Sequence, residues 1–188
     1  MIFFKRLLIA SAAVLFFGSA QAQTFSDAFA GFGSNEGEPI EIEASELRVE
    51  DGNNTATFVG DVVVIQGETS LKTQRLKVFY AGDGASQSEG AIQQKISRLE
   101  AAGGVFISSK DQTAKGDEAS FDMNREFMVM TGNEVVLSQG PNVVVGKKLT
   151  VNLKTGQANL TAGQGGGSGQ GSGRVKVRIQ PNSVENSN

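Results

Sequence analysis

The chain has 188 residues, a formal net charge of −3, and neither His, Cys nor Trp. Without His or Cys, Ser–His and Cys–His nucleophilic machinery is impossible, and a catalytic zinc site would need an unusual all-carboxylate ligand set. The acidic balance argues against nucleic acid, which draws a basic footprint, while carboxylate-pair chemistry stays open.

Residues 1–22 read as a signal peptide. Lys5 and Arg6 form the basic start, and residues 7–17 are an apolar run too short to span a bilayer comfortably. Ala20-Gln21-Ala22 is a small-x-small cleavage site, which puts the cut after Ala22 and the mature start at Gln23. The competing reading is an uncleaved anchor. After cleavage, 15 basic and 20 acidic residues remain, a net of −5. An exported chain without Cys must be held by its own core and ladders.

Residues 23–38, with Gly31, Gly33 and Gly37, read as a flexible arm. From Pro39 the period becomes two. Ile40, Ile42 and Ala44 alternate with Glu41 and Glu43, and Leu47 and Val49 continue the pattern. Asp51-Gly52-Asn53-Asn54 signals a turn into a strand over 55–59, and Gly60-Asp61 is a corner before a second strand over 62–66. A similar phrase returns at 127–140 and, more weakly, at 99–107. A polar insertion occupies 82–95, and only 91–99 hints at a helical period. Residues 163–173 are a Gly/Ser/Gln linker. A strand with Arg174, Lys176 and Arg178 on one face follows, within 174–181, and 182–188 is a polar tail.

One short pattern (small, polar, polar, apolar, polar, apolar) occurs four times, starting at Ala44, Thr73, Gly116 and Gly146, in steps of 29, 43 and 30. The insertion accounts for most of the long step. Strand-like copies at a period near 30 predict stacked β-units sharing one continuous core, an elongated scaffold rather than a pocketed enzyme.

The residues at 39–44, 56–67, 127–140 and 146–149, in that order, resemble the OstA-like family. The resemblance covers about residues 38–162 plus the strand at 174–179. It implies an all-β fold: antiparallel strands in a twisted, partly open β-jellyroll with a V-shaped section. It also implies a periplasmic lipopolysaccharide-binding transport protein without enzymatic activity, cofactor or metal. Such a protein shields lipid A acyl chains in an apolar groove and assembles head to tail. It stands between an inner-membrane LptC-like partner and an outer-membrane LptD-like partner.

Candidates for the groove are the apolar positions of the repeat: Ile40, Ile42, Leu47, Val49, Phe58, Val62, Val64, Leu76, Val78, Phe106, Phe121, Met128, Met130, Leu137, Leu149 and Val151. By pattern alone such a stripe is also what a closed core requires. Ile40, Glu41, Ile42 and Glu43 at one end, with Arg174, Lys176 and Arg178 at the other, are the expected oligomer edges, since unpaired edges join other chains unless blocked. The cations also read as an aggregation-resistant edge or as phosphate contacts. The alternative function is an exported β-solenoid polysaccharide-active enzyme or glycan-binding protein using Asp61, Asp117, Glu118 or Asp122. Against it, these acids sit at corners, where Asp serves local hydrogen bonds, and the repeats lack an aromatic track, with one Tyr and no Trp. A structural coat component is a third possibility.

Overall fold

The computed structural model describes residues 38–81, 96–163 and 173–180. The expected signal peptide, the arm to residue 37, the insertion at 82–95, linker residues 164–172 and the tail from 181 lie outside the described residues.

The two-residue alternation becomes antiparallel strands. They are β1 (Glu41–Glu43), β2 (Glu46–Glu50), β3 (Thr55–Gln66), β4 (Thr69–Tyr80), β5 (Ile96–Ser109), β6 (Gln112–Asp122), β7 (Phe127–Gln139), β8 (Asn142–Asn152), β9 (Ala158–Thr161) and β10 (Lys176–Arg178). The ladder runs β1-β3-β4-β5-β6-β7-β8-β10, with β2 also on β3 and β9 also on β8. The helical hint at 91–99 gives way to strand from Ile96, where β5 pairs with β4 along its length. The last strand is shorter than its alternation suggests. Only Lys176–Arg178 pair, with Val145, Val144 and Val143.

The expected corners are bends inside long strands. Gly60 and Asp61 lie together opposite the single residue Gln74, and Gly103 and Gly104 oppose Gln74 from its other side. Gly132-Asn133-Glu134 lie opposite Lys147. The extra residues are always on the odd-numbered strand, and such bulges bend a strand and raise its twist. Gly60 has φ of 84°, and a Cβ there would stand 2.9 Å from Ser45 Cβ, so glycine is required twice over. The bulges line up across the sheet as one fold line. At that line the edge breaks outright: β1 and β2 separate at Ala44-Ser45, where Ser45 N–H donates to the Gly60 carbonyl at 2.9 Å.

The line divides the sheet into two half-sheets. One runs from β1 through residues 62–66, 69–73, 105–109, 112–116, 135–139 and 142–146 to β10. The other runs from β2 through 55–59, 75–80, 96–102, 118–122, 127–131 and 148–152 to β9. Their facing sides share one core, to which both contribute. β1 does not pair with β10, nor β2 with β9, so the sheet is not closed into a barrel. The result is the twisted, partly open jellyroll.

Candidate functional site: apolar rows from edge to edge

The four copies of the repeated pattern fall on β2, β4, β6 and β8, alternate strands of one half-sheet. The period near 30 is therefore the length of one hairpin. Register places the two apolar positions of each copy in two rows. The first is Leu47, Phe58, Leu76, Ala101, Ala119, Met130, Leu149 and Leu160. The second is Val49, Ala56, Val78, Leu99, Phe121, Met128, Val151 and Ala158. Across the fold line the other half-sheet answers with Ile42, Val64, Leu71, Ile107, Ala114, Leu137, Val144 and Val177. No polar side chain interrupts any of the three rows.

In mid-sheet the rows are sealed. Leu76, Val78, Phe121, Met128, Met130, Leu149 and Val151 have no exposed surface, and Val62, Val64 and Leu137 are also buried. At the ends the rows open. Leu47 is 54 % and Val49 62 % exposed on β2, and Val177 is 58 % exposed on β10. Ile40, Ile42 and Phe58 are half-buried against the core at the first end, and Leu160 and Ala158 at the other.

Phe106 departs from the expected lining. It is exposed, while its neighbours Val105 and Ile107 point inward and are buried. Counting by twos from Leu99 and Ala101 runs unbroken through Gly103-Gly104 to Val105 and Ile107, so Ile107 holds the inward place and Phe106 the outer one. Leu99, Ala101, Ala114 and Leu160 belong to the rows but are absent from the expected lining. Their rows emerge from cross-strand register, and only their own alternation pointed to them.

The outer sides of the edges are polar. On β2, Arg48 donates to Glu46 at 2.7 Å through Nε, and that bond holds the Glu46 carboxyl below its usual range. Glu41 and Glu43 pair with Ile65 and Val63 and so share their outward side, while Lys176 and Arg178 face outward on β10. Arg174, Lys176 and Arg178 are exposed, with no carboxylate in ion-pair reach among the described residues.

Three of the four acids of the polysaccharide reading have local duties, and Glu118 is exposed on β6. Asp61 accepts from Gln74 Nε2 at 3.3 Å. Asp117 accepts the Asn133 N–H at 2.8 Å, tying two bends together, and Asp122 accepts the Arg125 N–H at 3.0 Å in the β6–β7 turn. Among the described residues no group of three or more Asp or Glu gathers to hold a metal.

The family described as LptA/(LptD N-terminal domain) LPS transport protein matches residues 41–157, the strands from β1 to the β8–β9 turn. The chain belongs to this family. The lipopolysaccharide-transport family match thus spans the whole run of buried rows. An uncharacterized protein of Rhizobium meliloti (strain 1021) is 36 % identical over 176 residues, covering 94 % of this chain and 86 % of that protein. A Rhizobium etli protein, described as lying in the 5′ region of an rpoN-linked probable transport protein, is 45 % identical over 56 residues, covering 30 % of this chain and 89 % of its own length. Among solved structures, LptH from Pseudomonas aeruginosa, described as the LptA homologous periplasmic component of the lipopolysaccharide transport device, superposes with a TM-score of 0.60. The match covers 77 % of this chain and 96 % of LptH at 20 % identity, and it shows a shared fold.

Proposed function

We propose that this family member is a periplasmic, non-enzymatic carrier of lipopolysaccharide. It shields lipid A acyl chains between the two half-sheets, assembles head to tail, and bridges an LptC-like partner at the inner membrane and an LptD-like partner at the outer one. The observation that carries this reading is that the apolar rows are continuous across the sheet and leave apolar side chains exposed at its two ends, Leu47 and Val49 on β2 and Val177 on β10. A dozen-carbon chain has on the order of 10 kcal/mol at stake on leaving water, at about 0.8 kcal/mol per CH₂. A row of aliphatic, Phe and Met side chains can recover that energy without directional bonds, so a chain can slide along it. The rows are filled in mid-sheet, so entry of a chain requires the halves to part, and no backbone ladder joins their far rims to resist this.

Strand direction supports the assembly. Alternation along the ladder leaves β1 and β10 antiparallel to one another, and likewise β2 and β9. A second copy translated along the ladder would therefore meet β10 with its β1, and β9 with its β2, in antiparallel sense. Val177 would then continue the row into Ile42, while Lys176 and Arg178 would meet Glu41 and Glu43 on the outer side.

The test of the groove is a photoreactive residue at Ile42 or Phe58, irradiated with lipopolysaccharide. Adducts are expected at both positions; well-folded protein giving none would overturn the groove reading.

A further inference from the structure

The outer side of the β1–β10 half-sheet has a composition the apolar rows do not explain. One of its cross-strand rows reads Glu43, Val63, Lys72, Phe106, Lys115, Val136, Val145 and Lys176. Phe106 therefore stands between two lysines, on the strand that separates theirs. Phe106 is 39 % exposed and the nearby Ile65 41 %. No acidic residue occupies an outward position of this half-sheet from β3 to β8. Lys72 and Lys115 have no carboxylate in ion-pair reach among the described residues. Beside Phe106 the surface is hollowed into a cavity of about 360 Å³ lined by Asp61, Val63, Lys72, Gln74, Phe106 and Lys115 among others. The one carboxylate there, Asp61, is at the fold line and already accepts from Gln74.

We propose that this cavity is a second lipid site, separate from the inner rows, for a phosphate-bearing amphiphile with one chain. The head lies over Phe106, within reach of both lysine ammonium groups, and the chain lies on Val63 and Phe106. The two lysine Cα atoms are two strand spacings apart, about 10 Å, a span two flexible lysine side chains close around one phosphate. A peptide is disfavoured, because these strands are interior to the sheet and offer no free backbone edge. The hydroxyls alongside are also committed to one another, Ser70 with Ser108 at 2.9 Å and Thr113 with Ser138 at 2.6 Å. What remains is two point charges and an apolar floor, which is recognition suited to an anionic lipid.

The experiment is a heteronuclear NMR titration of the full mature chain with 1-lauroyl-lysophosphatidylglycerol below its micelle concentration. Shifts are expected at the amides of Val63, Lys72, Phe106 and Lys115. Lys72→Gln combined with Lys115→Gln should weaken binding at least tenfold, Phe106→Ser similarly, and arginine at both lysine positions should retain it. Melting curves verify that each variant is folded. Three results would each overturn the proposal: shifts confined to Leu47, Val49 and Val177; equal response to uncharged monolaurin; or inorganic phosphate alone binding these amides as tightly as the lipid.

Discussion

Phe121 sits at the centre of the second apolar row, with Leu99 and Met128 opposite it on either side and no exposed surface. Removing its ring leaves a cavity that neighbours on two rigid strands cannot fill. Phe121→Ala should therefore cost about 3–5 kcal/mol, read as a lower urea midpoint at unchanged slope. Tyr80 offers a cleaner reporter, because it is the chain's one tyrosine. Burial disfavours its phenolate and raises its pKa above the ordinary value, which is about 10. A folded-state pKa raised above the unfolded one contributes stability that is present below about pH 10 and is lost as pH rises through the raised value. Ultraviolet titration should show a single transition above pH 10 in the folded protein, and Tyr80→Phe should lessen the alkaline loss of stability.

The strands show which signals a sequence carries about itself. Alternation placed the long strands from β3 to β8, and Gly60-Asp61, Gly103-Gly104 and Gly132-Asn133 marked the three places where a strand bends. Bend and turn, however, use the same residues. Whether Gly60-Asp61 ends a strand or kinks one depends on Gln74 opposite it, 13 residues away. Counting by twos is reset on β4, where the single residue Gln74 faces both bulges and the buried positions pass from Leu71 and Thr73 to Leu76 and Val78, while β5 keeps its count and turns Phe106 outward. The closing strand reads as longer than it is because alternation states which residues are able to pair and leaves open whether a neighbour is there. The bend is also open to test. Gly60→Ala forces a Cβ into the left-handed region, at about 1–2 kcal/mol, and drives it against Ser45. It should thus destabilise more than Gly104→Ala, where φ is 89° but no atom lies within 4 Å. Comparison of their urea midpoints separates strain from crowding.

For the molecule as a whole, the exposed ends matter more than the buried middle. Leu47, Val49 and Val177 leave the core unfinished on both sides, while the outer sides of the two edges of one half-sheet carry opposite charge. If a second copy finishes the core, reversing one edge should prevent it. Glu41→Lys with Glu43→Lys should shift light-scattering mass toward monomer, most at low salt, where exposed charges are least screened. An unchanged mass at every ionic strength would reject the charge pairing.

The fold line has an evolutionary corollary. Extra residues sit on odd strands and single residues on even ones, so the smallest piece that can be added or removed without breaking the crease is one hairpin. Duplicating or deleting such a unit would conserve the inward parity of every other strand. It would lengthen or shorten the body by about 10 Å, two strand spacings. Span in this architecture is thus quantised, and relatives of different reach are expected to differ by whole hairpins rather than by single strands.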